Sequence, residues 1–136
     1  IRHALVDAGE VAGLGEGADG RAWQVGVQHP RHANAWIEVV RLDGRCLATS
    51  GDYATPVGQG AEAHHIFDPR TGRSADRLAS VSVLAPSAME ADALSTAAFV
   101  LGAERGHALV AASPGVDALF VTRDGRVLAT GGLPRA

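Results

Sequence analysis

Apolar and polar residues alternate with a period of two in several separate runs of this chain, and each run predicts a strand. Ala22-Trp23-Gln24-Val25-Gly26-Val27 is the first clear example. Ala35–Leu42 repeats the pattern, the tight-turn pair Asp43-Gly44 interrupts it, and Arg45–Thr49 resumes it, so the last two runs are expected to pair as a hairpin of defined register. Asp19-Gly20 predicts a turn ahead of the first run, which makes a hairpin with the glycine-rich stretch before it. Gln28–Asn34 reads as a polar loop, and Ile1–Val6 is compatible with the end of a strand. A fourth strand is expected over Leu78–Leu84, where serine and valine alternate. Ala118–Thr122 and Arg126–Thr130, joined by Asp124-Gly125, predict a closing hairpin before the tail Gly131–Ala136.

The period changes to that of a helix at Ser87–Gly102. Pro86 ends the extended run, Ser87 is placed to cap the first backbone N–H groups, and Glu90 completes a capping box. Leu94, Ala97, Ala98 and Leu101 recur at helical spacing and are expected to form the buried stripe, with Gly102 ending the helix in a left-handed conformation. A second helix is expected over Ala103–Ala112, stopped by Ser113-Pro114-Gly115. Strands, then helices, then strands indicate an α+β domain: an antiparallel meander sheet with two packed helices, not a doubly wound parallel sheet. Gly13-Leu-Gly15-Glu-Gly17-Ala18 superficially fits a dinucleotide-binding loop. That fingerprint needs a helix directly after it, and a turn and a strand follow instead.

Composition narrows the picture. A chain of 136 residues with 46% hydrophobic content is the size of one domain with a real core. The formal net charge of −3 and the lack of a basic run argue against nucleic acid as a partner. Cys46 is the single cysteine, which excludes an internal disulfide and a thiolate metal cluster. No apolar run reaches membrane-spanning length. The chain begins at Ile1, as a fragment or processed product would, with any targeting segment upstream.

Two segments hold candidate chemistry. Asp92 and Thr96 are one helical turn apart, so their oxygens share a face. A carboxylate above a hydroxyl suits magnesium, which keeps several waters and takes few protein carboxylates; from the helix alone the commoner arrangement is that Asp92 is solvated and Thr96 bonds back to the helix carbonyls. The second segment, His65-Ile66-Phe67-Asp68-Pro69-Arg70-Thr71-Gly72, sets a titratable base, a carboxylate and an arginine around a proline–glycine turn. It reads either as an ordinary polar turn or as part of a site.

Three segments together resemble the FAD:protein FMN transferase family, also called the ApbE family. They are Thr49-Ser50-Gly51-Asp52-Tyr53, the His65–Gly72 segment, and Ala85-Pro86-Ser87-Ala88-Met89-Glu90-Ala91-Asp92-Ala93-Leu94-Ser95-Thr96-Ala97, in the family's order and spacing. The likeness extends to Trp23–Val27 and the closing hairpin, and implies the C-terminal part of the ApbE-type, T-fold-like domain. What it implies chemically is magnesium-dependent cleavage of the FAD pyrophosphate, with FMN attached to a threonine of a target protein and AMP released. By the same resemblance, Asp92 and Thr96 are metal ligands, His65 is the base, and Asp68 orients that histidine or the metal shell. Ser50, Gly51 and Asp52, with Arg70 and Thr71 of the turn, fall near the flavin or the acceptor.

Family members are about twice this length, so residues 1–136 read as a single domain or as the C-terminal half of a larger one, with much of the FAD pocket in the other half. Glu10 stands where the family has a glycine pair followed by aspartate. The implied partners are FAD, a target protein with an acceptor threonine, and the N-terminal half or a second chain. The implied location is periplasmic or otherwise extracytoplasmic, on a membrane anchor upstream. Hydrolysis of FAD to FMN and AMP is the neighbouring enzymatic alternative, and a non-catalytic flavin- or partner-binding subunit is the alternative from another class.

Overall fold

A computed structural model describes residues 1–53 and 63–136; the small and turn-forming residues after Tyr53, which read as a loop through Ala63, therefore lie outside the described residues except for Ala63 itself. Six strands form one antiparallel sheet: β1 (Ala4–Asp7), β2 (Val11–Leu14), β5 (Cys46–Gly51), β8 (Leu78–Ala85), β9 (Asp117–Thr122) and β10 (Val127–Ala129), side by side in that order. The excursions between them are two hairpins and two helices: β3 (Gln24–His29) with β4 (His32–Arg41), β6 (Phe67–Asp68) with β7 (Arg73–Ser74), and α1 (Ala88–Leu101) followed by α2 (Ala103–Ala111). The fold is α+β, as the order of patterns predicts.

The central strand β8 is buried along its whole length, because layers cover both faces of the sheet. Val81, Val83 and Ala85 face the helices in a cluster with Ala48, Ala98, Phe99, Ala118 and Phe120. On the opposite face, Leu47, Leu84 and Leu119 meet Val27, Val40 and Leu42 of the β3–β4 hairpin. This second layer corrects two expectations. Asp43 and Gly44 do turn the chain, at φ 48° and 76°, and the Arg45 N–H donates to the Leu42 carbonyl at 2.8 Å. The strands beyond the turn do not pair: β4 stays with β3, while β5 joins β2 and β8. Stacking the hairpin on the sheet buries its apolar side, which lateral pairing would leave to solvent. Asp19-Gly20 likewise makes a turn, yet its arms form no strand ladder: an isolated bridge, Glu16 with Ala22, and the Trp23 indole N–H donating to the Leu14 carbonyl at 3.1 Å link them. The polar loop expected over Gln28–Asn34 is shorter than read, since β3 extends to His29 and β4 begins at His32.

Helix α1 starts where the cap residues place it: the Ser87 hydroxyl accepts from the Glu90 N–H at 3.2 Å. Its buried face differs from the expected stripe. Ala91, Ser95, Ala98 and Phe99 point inward, whereas Ala97 is exposed and Leu94 and Leu101 are half-buried. Small residues let the helix lie close over β5 and β8, and Phe99 fills the end beside the His64 ring, at a centroid distance of 5.6 Å. Gly102 joins the two helices at φ 82° and ψ 174°, a region open only to glycine. Among the described residues no helix is long and apolar enough to cross a membrane.

Candidate active site

The packing of α1 on β5 brings two of the three sequence segments into contact. Ser50 is buried at the end of β5, and its hydroxyl lies 2.8 Å from the Ser95 hydroxyl and 3.1 Å from that of Thr96. Ser95 in turn donates to the Asp92 backbone carbonyl at 3.0 Å. Asp92 and Thr96 both lie exposed on the outer side of the helix. The Thr96 hydroxyl is bonded to Ser50 and not back to its own helix; Ser95 makes the back-bond instead. Gly51 allows the close approach of Tyr53, because a Cβ there would stand 2.5 Å from the tyrosine ring.

Asp52 has a different environment. Its side chain is 4% exposed and held by two arginines from distant turns: Arg31 at 2.5 and 2.7 Å, and Arg123 at 3.4 Å. The bond to Asp52 holds the Arg31 guanidinium above its ordinary value. The carboxylate thus ties together the tips of β3–β4 and β9–β10.

The adjacent histidines of the third segment separate cleanly. His64 is buried, with Nε2 2.8 Å from the Ala75 carbonyl and Nδ1 accepting from the Ile66 N–H at 3.3 Å. Since a carbonyl only accepts and an N–H only donates, His64 carries its proton on Nε2 and is neutral. It is a structural residue. His65 is exposed, with its ring 6.5 Å from that of His64. Asp68 pairs with Arg70, which donates from its backbone N–H and Nε at 2.9 Å and from Nη2 at 2.6 Å. These bonds hold the Asp68 carboxyl down at about 2. Among the described residues its bonds run to Arg70 and none to His65. Thr71 closes the same turn by accepting from the Arg73 N–H at 3.2 Å.

A cavity of about 530 Å³ opens beside this turn, lined among others by Asp68, Thr71, Arg73, Arg77 and Arg123. Val100, one helical turn beyond Thr96, also lines it, so α1 runs from the Asp92–Thr96 pair to the cavity. The lining mixes these three arginines with the carboxylates of Asp68 and Asp76, and Arg123 is also held by Asp52, so the positive excess facing the cavity is small. The described residues contain no cluster of three or more histidine, cysteine or acidic side chains able to hold a metal. One exposed carboxylate beside one hydroxyl is nonetheless the sparse, all-oxygen donor set that magnesium accepts while keeping its waters.

The ApbE family model matches residues 1–120. The chain belongs to the ApbE family. It is 43% identical over 114 residues to an FAD:protein FMN transferase of Treponema pallidum, covering 82% of this chain and 32% of that protein. An FAD:protein FMN transferase of Escherichia coli is 35% identical over 127 residues, covering 91% and 36%. The ApbE protein of Thermotoga maritima superposes with a TM-score of 0.83 at 36% identity, covering 95% of this chain and 43% of that one. The flavin transferase ApbE of Vibrio cholerae does so with 0.76 at 33%, covering 96% and 43%. This ApbE-family chain thus spans about a third of the length of these two sequence relatives.

Sequence reasoning did not single out Ser95, Arg31 or Arg123. Ser95 stands next to Thr96, but only the rotation of α1 turns it toward Ser50. The two arginines reach Asp52 from turns 21 and 71 positions away in the chain, and no local pattern announces such a contact.

Proposed function

We propose that this chain is the part of an FAD:protein FMN transferase that supplies the base and the divalent-cation ligands. The reaction moves FMN from FAD to a threonine hydroxyl of a target protein and releases AMP. The relatives' names support the reaction class, and the observation that best supports the site is the Asp92–Thr96 pair on the outer face of α1, with the Thr96 hydroxyl held from beneath by Ser50.

In this reaction the threonine oxygen bonds to the phosphorus on the FMN side of the pyrophosphate. The bond from that phosphorus to the bridging oxygen breaks, and AMP leaves with that oxygen. His65, exposed at the start of its turn, takes the threonine proton on a neutral ring nitrogen. The Asp68–Arg70 fork and the Thr71 hydroxyl hold the rest of the turn, so the histidine projects from an ordered segment. Arg73 and Arg77, on the cavity lining, offer positive charge to a dinucleotide's phosphates. Asp92 and Thr96 would hold Mg2+, which when bound neutralises charge on phosphate oxygens during transfer.

The test is to incubate the purified chain with FAD, MgCl2 and a threonine-containing acceptor peptide, and to follow the peptide by mass spectrometry. The expected product is a peptide heavier by one FMN unit, formed at least ~10²-fold more slowly by His65→Ala while FAD binding persists. Transfer by His65→Ala at the unmodified rate refutes the base assignment. Failure of the unmodified chain to form the adduct at any Mg2+ concentration, both alone and together with the N-terminal part of a full-length relative, refutes the function for this chain.

A further inference from the structure

We infer that Ser50 is a positioning residue for cation binding, which together with Ser95 fixes the direction of the Thr96 hydroxyl. The inference rests on the reading of Asp92 and Thr96 as cation ligands. It follows from a count of protons along a chain of four groups. The Asp92 carbonyl can only accept, so the one Ser95 hydroxyl proton points to it, at 3.0 Å. Ser95 must then accept from Ser50, 2.8 Å away, which commits the Ser50 proton. Ser50 in turn has only acceptor capacity left for Thr96, at 3.1 Å, so Thr96 donates inward. The Thr96 proton is thereby directed into the protein, and its lone pairs face the solvent beside Asp92.

Burial enforces this order. Ser95 is fully buried and Ser50 nearly so, at 6% exposure, so neither hydroxyl can exchange its partner for water at low cost. A helical threonine otherwise bonds back to the carbonyl four residues earlier, which here is Asp92. Ser95 already occupies that carbonyl. The result is an oxygen ligand with no proton in the way of a cation, set by two serines that touch no cation themselves.

The inference is tested by titrating the 136-residue chain with Mn2+ alone and reading binding from water-proton relaxation, well below the melting temperature of each variant. Asp92→Asn and Thr96→Val are expected to weaken binding at least tenfold. Ser50→Ala and Ser95→Ala, which leave both ligands in place, are expected to weaken it by about tenfold. In the Thr96→Val background, Ser50→Ala should have no further effect, which a loosening of the fold would not reproduce. Ser95→Ala puts a good helix former in a helix and serves if Ser50→Ala folds poorly. Unchanged Mn2+ affinity in both serine variants, with loss in the other two, overturns the positioning role and leaves the cation pair standing. Unchanged affinity in Asp92→Asn and Thr96→Val overturns the cation reading and this inference with it, as does an unmodified chain that binds no Mn2+.

Discussion

Gly106 sets the distance between the two helices, and Gly106→Ala measures how firmly. In an exposed helix interior this exchange stabilises by about 1 kcal/mol, because alanine loses less backbone freedom on folding. Here an added Cβ would lie 2.7 Å from the Ala98 carbonyl oxygen, 3.2 Å from the Ala98 Cα and 3.1 Å from the Phe120 ring. Carbon contacts are optimal at about 3.5–4.0 Å, so α2 must shift by several tenths of an ångström or more. Two of the three obstacles are backbone of α1 and cannot rotate away. Overpacking of this kind costs about 1–3 kcal/mol. Because the shift also loosens packing around Phe120, we place the cost near its upper end, and the net is a loss of about 1–2 kcal/mol. For a chain of this size that corresponds to a fall in Tm of roughly 5 °C. Urea denaturation of Gly106→Ala and of Ala108→Gly, at an exposed position of the same helix, separates the two effects. A Gly106→Ala protein as stable as the parent, alongside a destabilised Ala108→Gly, would show that the helices are free to part and would refute the reasoning.

Two further outcomes follow from the ion pairs. Asp117 accepts from Arg45 at 2.8 Å and from Thr130 at 2.6 Å; burial by itself would raise its pKa, but these bonds outweigh it and lower the carboxyl below its ordinary value of 3.8. Its stabilisation is complete above that ordinary value and is lost as pH falls through the lower folded-state value, so Asp117→Asn should cost about 1–2 kcal/mol at pH 7 and show a smaller stability loss than the parent on acidification below 3.8, read by denaturation at each pH. Asp52→Ala should free the tips of the β3–β4 and β9–β10 hairpins and speed amide hydrogen exchange around Arg31 and Arg123, while amides of β8 stay as protected as in the parent; unchanged exchange at both tips would show that the double arginine contact holds nothing together.

What the sequence determined by itself was local: both helices and most of the strands, though not the short β6–β7 hairpin or the strand ends around Pro30, where Ser87 starts α1, where Asp43-Gly44 and Asp124-Gly125 turn the chain, and which short segments resemble the ApbE family. Those features depend on neighbours a few residues apart, and alternation, caps and glycine turns record such neighbours directly. Tertiary structure decided the rest. A period of two is the same whether a strand lies beside its neighbour or stacks on a second layer, so only packing sends β4 to the opposite face of the sheet from the helices. The helix pattern allowed more than one buried stripe, and contact with Ser50 and Phe120 selects Ala91, Ser95 and Ala98 over Leu94 and Ala97. The same rotation turns Ser95 inward and leaves Asp92 and Thr96 outside, so the pair is legible in the sequence while the proton order beneath it is not. Hydrogen bonds between residues 45 and 46 positions apart exist only once the helix is seated on the sheet.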